Sequence, residues 1–212
     1  MIPVGIIPVN AFRPMARKSV PRRGSTRERI FGTAAELFYR RGIRAVGVEQ
    51  IAAAAATTKM GLYRAFPSKD VLVAEWLRDR DARFWHAWER MAQRHPLDAQ
   101  KQLRAAFALL EKHVEESRGR GCAMANAAVE ITDRDHPARK VIEAHKAKLR
   151  AELATLCQAA GAREPRLLAD QLFLLIEGSQ AATLVLGVRG PLKSAVLAAE
   201  ELIASQLARA EV

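Results

Sequence analysis

The side chains whose types and spacing point most clearly to chemistry lie on one short segment in the first third of the chain. Lys59, Tyr63 and Arg64 bring two positive charges and a phenol together within six residues. At helical spacing they fall opposite Leu62 and Phe66, two apolar residues four apart that are predicted to pack inward. A helix that is apolar on one side and basic and aromatic on the other suits the DNA major groove. The pattern therefore predicts a DNA-binding helix.

A second short helix and a tight turn are predicted to hold this helix in place. Val48, Ile51 and Ala55 recur at the spacing of a helix with one buried side. The DNA-binding helix should end before Pro67, because a residue that precedes proline disfavours the helical conformation. Ser68 is a good N-cap for the long helix that follows. The arrangement is typical of a helix-turn-helix.

The order of residue types in this region also forms a recognisable motif. Its residues are Gly42, Val48, Ile51, Ala52, Thr57, Thr58, Lys59, Leu62, Tyr63, Phe66, Ser68, Lys69 and Leu72. Over about residues 25–72 the chain resembles the TetR (tetracycline repressor) family of bacterial transcriptional regulators. It departs from the usual family pattern at Val46-Gly47, at Ala56 in place of a turn glycine, at Met60-Gly61 and at Ala65.

The resemblance implies that residues on and beside the predicted helix contact the DNA backbone. Hydroxyl and amide groups near the start of a helix suit phosphate binding. The residues with this implied role are Thr57, Thr58, Tyr63 and Lys69. Alternatively, Tyr63 is an aromatic residue that packs at the edge of the core.

The remaining outward residues of the helix have predicted roles of their own. Arg64 can form a fork of hydrogen bonds to guanine O6 and N7, worth roughly 1–3 kcal/mol of base discrimination, or it can clamp a phosphate. Lys59 is the second outward cation. Met60 and Gly61 lack hydrogen-bonding side chains, so they offer apolar or close backbone contact, for example with a thymine methyl group.

The positive charge of the chain is concentrated at its N-terminal end. Residues 1–70 contain thirteen Lys and Arg against four acidic residues, a net +9, so the other 142 residues carry only +2 of the total +11. A basic segment on a nearly neutral body indicates a head that binds a polyanion. Within it, Arg17, Lys18, Arg22 and Arg23 form a basic arm that either follows the minor groove or is a solvated tail.

The hydrophobic pattern predicts an all-α protein with about nine helices, because no segment alternates as a β-strand does. Ser25 and Glu28 have the spacing of a capping box that opens the first helix. We expect a basic, disordered arm over residues 1–24 and a helix-turn-helix domain over 25–70. A ligand-binding and dimerisation domain is expected over 71–212.

The last two predicted helices, about 165–186 and 191–209, favour a homodimer. Residues 167–176 are apolar on nearly every side, which implies burial on two faces. Two such pairs of helices, one from each subunit, would form a four-helix interface. They would otherwise complete the core of a monomer. The resemblance favours the dimer, since TetR-like regulators dimerise through their last two helices and bind two-fold operators.

The body is expected to hold a small, largely apolar effector between its long helices. Aromatic and apolar side chains would line the pocket, and a few polar ones would orient the effector. Each candidate has an ordinary alternative, as a packed core residue or a satisfied structural group. The candidates are Phe84, Trp85, Trp88, Phe107, Leu110, Met124, Asn126, His145, Phe173, Glu177 and Gln180.

The sequence offers little for catalysis, metal binding or membrane insertion. We find no nucleophilic triad, phosphate loop or metal-ligand spacing, so we expect no enzyme activity, metal or cofactor. Cys122 and Cys157 form no disulfide framework, which is typical of the cytoplasm. No apolar run approaches the roughly 20 residues that cross a bilayer. The opening residues, with three prolines, make a poor signal peptide.

Together these patterns predict a ligand-responsive transcriptional regulator. The simplest form is a repressor that binds a double-stranded, two-fold DNA operator as a dimer and leaves it when an effector binds. Three alternatives stay open: an activator of the same family, an architectural protein that binds DNA without sequence preference, and an enzyme with a DNA-binding head.

Overall fold

Helices account for all of the regular structure in the described part of the chain. The computed structural model describes residues 24–116, 120–187 and 191–207, and over these ranges it contains α-helices and no β-strand, which confirms the all-α prediction. None of the described helices is long and apolar enough to span a bilayer. The helices are α1 (Thr26–Arg41), α2 (Val48–Ala54), α3 (Lys59–Ala65), α4 (Lys69–Gln93), α5 (Ala99–Glu116), α6 (Ala123–Glu130), α7 (Pro137–Ala159), α8 (Pro165–Leu186) and α9 (Pro191–Leu207).

The first helix begins and ends where its residues favour it. Ser25 Oγ accepts the backbone N–H of Glu28 at 3.2 Å, and the Glu28 carboxylate accepts the N–H of Ser25 at 2.7 Å, which confirms the capping box. After the helix, Gly42 has a φ of 86°, which residues with a Cβ rarely adopt. Apart from Gly24, the predicted arm over residues 1–24 lies outside the described residues.

The helices enclose two separate hydrophobic cores. The first joins α1, α2 and α3 to the start of α4, to α6 and to the start of α7, and it contains the fully buried Leu62 and Phe66. The second joins the rest of α4 to α5, α7, α8 and α9, around residues such as Leu103 and Leu153. The helix-turn-helix and most of the body therefore pack around different cores.

Helix α4 belongs to both cores. Its first turns bury Leu72 and Leu77 in the first core, and its later turns bury Trp85 and Trp88 in the second. The helix has 25 residues, so at 1.5 Å per residue it is about 37 Å long. Helix α4 is therefore a continuous connection between the second core and the helix-turn-helix.

Helix α6 and the residues before it form a second connection between the body and the helix-turn-helix. The Arg120 guanidinium donates to the Tyr39 carbonyl at 2.7 and 3.0 Å, and the Tyr39 hydroxyl donates to the Gly121 carbonyl at 3.2 Å. At the end of α6, the Glu130 carboxylate accepts the backbone N–H of Arg44 at 2.8 Å. These bonds hold the last turn of α1 and the loop that follows it against α6 and the residues before α6.

Candidate nucleic-acid interface and effector cavity

Helix α3 carries most of the predicted DNA-contacting side chains on its outer face. Leu62 is fully buried beneath the helix, whereas Met60 is 66% exposed and Tyr63 40% exposed. Lys59 and Arg64 are exposed on the same side. The core under α3 thus orients a cationic, aromatic and apolar surface toward solvent.

The start of α3 is closely packed against the turn that precedes it. Thr58 Oγ accepts the backbone N–H of Gly61 at 3.0 Å and so caps the helix. A Cβ at Gly61 would lie 2.5 Å from Thr57 Oγ, a distance that real Cβ atoms essentially never show. Thr57 is half-buried and Thr58 is exposed. A larger residue at position 61 would therefore force the Thr57 side chain to move, independently of any contact with DNA.

Ala56 has the left-handed backbone conformation in the turn between α2 and α3. Its φ is 52°, and it is the only residue other than glycine with a positive φ in the described chain. The next residue, Thr57, donates its N–H to the Ala52 carbonyl at 2.9 Å. The turn therefore has the geometry that favours glycine, and the alanine costs about 1 kcal/mol.

Lys59 forms an ion pair with Glu49 across the two short helices. The Nζ–Oε1 distance is 2.6 Å, and both side chains are largely exposed. The hydrogen bond to Glu49 raises the pKa of Lys59, and the same bond lowers the pKa of Glu49. If Lys59 contacts DNA as predicted, Glu49 would compete with the phosphate for its ammonium group. Helical periodicity does not predict this pair, because the two residues are ten apart and on different helices.

Lys69 lies at the edge of the interface. Its Nζ donates to the Ile43 carbonyl at 2.7 Å, and partial burial lowers its pKa. This bond anchors the loop between α1 and α2 to the start of α4. The phosphate contact implied for Lys69 stays a prediction, and it would require the ammonium to serve both partners or to leave the carbonyl.

A small cavity in the second core brings together some of the predicted effector-binding residues. Its volume is about 40 Å³, and it lies between α4, α5, α7 and α8. Six of its lining residues were predicted: Phe84, Trp88, Leu110, His145, Glu177 and Gln180. The lining residues that the prediction missed are Ala106, Leu109, His113, Cys122, Lys146, Leu149 and Ile176.

The other predicted effector-binding residues lie elsewhere. Trp85 and Phe107 are buried in the same core without lining the cavity, and Phe173 packs at the edge of that core. Met124 belongs to the first core. Asn126 donates its side-chain amide to the Arg120 carbonyl at 2.8 Å, so it supports the junction with the helix-turn-helix.

Polar side chains on α7 and α8 give the cavity its chemistry. His145 Nδ1 lies 2.7 Å from Asp81 Oδ1, and burial is the main cause of the lowered pKa of His145. The imidazole is therefore neutral near pH 7 and donates through Nδ1, which leaves Nε2 as an acceptor. Lys146 Nζ pairs with Glu177 at 2.5 Å. Gln180 is 8% exposed, and its Oε1 has no hydrogen-bond partner among the described residues.

One face of α8 is apolar and uncovered. Leu174 is 66% exposed and Val185 is 84% exposed. Gly178 and Ala181 lie between them at helical spacing and are exposed as well, and no atom lies within 4 Å of the Cβ position of Gly178. On α9, Leu197 is also exposed. A second helix can therefore approach this face of α8 closely.

Comparisons with known proteins agree with this geometry. Residues 30–76 match the family model described as "Bacterial regulatory proteins, tetR family", and residues 99–199 match the one described as "Tetracyclin repressor-like, C-terminal domain". No curated protein matches the chain.

Several solved structures are similar over most of their length. A TetR-family transcriptional regulator from Streptomyces coelicolor is 27% identical with a TM-score of 0.81, and the match covers 86% of this chain and 96% of that one. A TetR-type regulator from Streptomyces avermitilis is 29% identical with a TM-score of 0.70, covering 86% and 98%. A TetR regulator from Legionella pneumophila, 18% identical with a TM-score of 0.73 and covering 84% and 97%, shares the fold.

The two family matches lie on separate parts of the chain, and together they cover the helix-turn-helix and most of the body. The resemblance of residues 25–72 to a helix-turn-helix motif therefore extends to the architecture of the whole described chain. This chain belongs to the TetR family of transcriptional regulators.

Proposed function

We propose that this regulator is a repressor whose homodimer binds a two-fold DNA operator through α3 and releases it when a small effector enters the body. The observation that carries the proposal is the exposed α3 surface of Lys59, Tyr63 and Arg64 above a fully buried Leu62. A helix held by its apolar side and exposed on its basic side can enter a major groove without unfolding.

The DNA contacts follow from the chemistry of this surface. Arg64 reads a guanine or clamps a phosphate, and the Thr58 hydroxyl can donate to a phosphate while its oxygen caps α3. Lys59 binds a phosphate when its ammonium group leaves the ion pair with Glu49. Met60 supplies apolar contact to a base.

The uncovered face of α8 supports the homodimer. A contiguous apolar stripe of Leu174, Gly178, Ala181 and Val185 is exposed in one chain and suits burial against a second copy. A two-fold axis that pairs α8 and α9 with their copies would present two α3 helices to one operator. The glycine allows the closest approach of the two helices.

The position of α4 supports regulation by an effector. Phe84 and Trp88 line the cavity, and the same helix packs Leu72 and Leu77 beneath the helix-turn-helix. A ligand that needs more than about 40 Å³ must displace cavity side chains, and α4 transmits the displacement. Release requires that the effector bind the DNA-incompetent arrangement more tightly than the DNA-binding one.

A binding titration on the region upstream of the protein's own gene tests the proposal. Fluorescence anisotropy should show at least tenfold tighter binding to this DNA than to a scrambled duplex, and Arg64→Ala should weaken the upstream DNA more than the scramble. Equal affinity for both duplexes would indicate an architectural protein. Increased expression of a reporter gene when the regulator is bound would indicate an activator instead of a repressor. In this proposal the protein is a transcriptional regulator and not an enzyme. It would bind DNA in the cytoplasm and would not act at the membrane.

A further inference from the structure

A basic groove runs between α4 and α5 on the outside of the body. Its volume is about 600 Å³, within the range of about 300–1,000 Å³ that is typical of small-molecule sites. None of the described residues that line it is acidic, and five are cations: Arg80, Arg83, Arg90, Arg94 and Lys112. The groove therefore has a local excess of positive charge on a body whose net charge is only +2.

Two of these cations are free to bind a ligand. Arg83 pairs with Asp79 at 2.8 Å, and Arg80 lies over the ring of Tyr39. The exposed side chains of Arg90 and Arg94 form no ion pair or hydrogen bond with the described part of the chain. A concave surface with unpaired cations attracts and concentrates organic anions.

The groove adjoins the effector cavity through a thin wall. Phe84, Leu109 and His113 line both spaces, so one layer of side chains separates them. Phe84 is only half-buried, and its ring centroid lies 6.1 Å from that of Trp88 on the cavity side. At about 40 Å³ the cavity has room for only about two or three water molecules. A larger ligand can enter from the groove if Phe84 moves.

We propose that the effector is an organic anion whose carboxylate or phosphate lies against Arg90 and Arg94 while its apolar part displaces Phe84 into or toward the cavity. This inference rests on the proposed function, since it names the chemical class of the effector. A neutral apolar ligand would leave the two arginines unused, and an inorganic anion would leave the apolar wall unused. Displacement of Phe84 acts on α4 at the point where the two cores meet.

Matched ligands separate the contribution of the ligand's charge from that of its apolar part. Octanoate and 2-naphthoate are titrated into the full-length protein by calorimetry, with octanamide and 2-naphthamide as neutral controls and octylammonium as a cationic control. Each carboxylate should bind at least tenfold more tightly than its amide, and octylammonium should bind more weakly than octanamide. Carboxylates that bind no better than the amides would overturn the proposal.

A double substitution locates the anion site. Arg90→Gln with Arg94→Gln should reduce carboxylate affinity at least tenfold, to the level of the amides, while amide binding stays within twofold. The control is Arg134→Gln with Lys140→Gln, which removes the same charge from exposed positions outside the groove and should leave the carboxylate preference intact. Unchanged amide binding shows that the double variant is folded. Equal losses in both double variants would contradict the site.

The DNA assay distinguishes this inference from the proposed function. If the carboxylates bind through Arg90 and Arg94 and also lower affinity for the upstream DNA, both stand. If they bind in this way but leave DNA affinity unchanged, the anion site is supported, and release of DNA by the bound anion is contradicted. If the protein binds the upstream DNA specifically but shows no carboxylate preference, the groove inference fails and DNA recognition stands.

Discussion

The Glu130 carboxylate on α6 accepts the backbone N–H of Arg44 at 2.8 Å, across 86 residues of sequence. The same carboxylate lies 3.0 Å from the position that a Cβ at Gly42 would occupy. One acidic side chain of the body therefore closes the α1–α2 loop, and the positive φ and missing side chain of Gly42 make room for it. The helix-turn-helix is held by the body on this side and by α4 on the other.

Removal of this carboxylate should loosen the junction. We expect Glu130→Ala to lower the free energy of unfolding by about 1 kcal/mol, because a partly exposed hydrogen bond from a backbone N–H to a charged group is lost. Urea denaturation measures the loss, and amide exchange by NMR should show faster exchange of the Arg44 N–H. The control is Glu143→Ala, an exposed acid whose one ion pair within the described ranges is with Arg139 at 3.7 Å. Unchanged exchange at Arg44 would contradict this assignment.

Neutralising Glu49 should strengthen DNA binding. In Glu49→Gln the Lys59 ammonium no longer has a charged partner at 2.6 Å and is available to a phosphate. We expect about threefold tighter binding to the upstream DNA and a steeper loss of affinity with salt, since one more phosphate is neutralised. Glu36→Gln on α1 makes the same change in net charge at an exposed position away from α3. Equal gains from both variants would assign the effect to net charge alone.

A glycine at the turn should stabilise the helix-turn-helix. Ala56→Gly relieves the left-handed strain of φ 52° and should raise the free energy of unfolding by about 1 kcal/mol, somewhat offset by the entropy of the unfolded glycine. Ala53→Gly, three residues earlier on an exposed position of α2, should instead destabilise by about 0.5–1 kcal/mol. Urea denaturation of both variants checks the opposite signs. Destabilisation by both would show that the turn does not favour glycine.

A charge on the uncovered face of α8 should disrupt the proposed homodimer. We expect Leu174→Arg to raise the dimer dissociation constant at least tenfold, because two unpaired cations would face each other across the two-fold axis. Size-exclusion chromatography with light scattering should show the monomer mass, and operator binding should weaken in parallel. Leu97→Arg, on an almost fully exposed residue between α4 and α5, is the matched control. A dimer that persists in Leu174→Arg would place the interface elsewhere.

Stability should fall as the pH is lowered from about 7, partly because of His145. Burial lowers the pKa of this imidazole below its ordinary value of about 6.5, so the unfolded chain takes up a proton that the folded chain resists. The contribution is present above pH 6.5 and is lost as the pH falls toward the folded pKa. The groups that face the ring are Asp81, Lys146 and Glu177.

The variant His145→Asn tests this assignment, because its amide can still donate to Asp81 but does not titrate. Urea denaturation at pH 7.5, 6.5 and 5.5 should show a lower free energy of unfolding at pH 7.5 and a shallower decline below it. The control His86→Asn changes an exposed histidine and should keep the wild-type slope. An unchanged slope in His145→Asn would assign the pH dependence to other groups.

Local rules were sufficient to predict the helices and the faces of α3. Ser25 and Glu28 are three residues apart, so their capping box depends only on the first helical turn. Leu62 and Tyr63 are neighbours with opposite exposures, because successive residues of a helix lie about 100° apart. The concentration of positive charge in residues 1–70 is a property of composition alone. These features and the motif around α3 were enough to indicate the family.

The tertiary structure decided which side chains meet. Trp85 and Trp88 share a helix and a core, yet only Trp88 lines the cavity, and Lys146 enters it from another helix. The Lys59–Glu49 pair and the basic groove likewise join residues from two helices. Periodicity fixes the direction of a side chain relative to its own helix axis. It does not fix the rotation and crossing of one helix against another, and those are set by the packing of both cores.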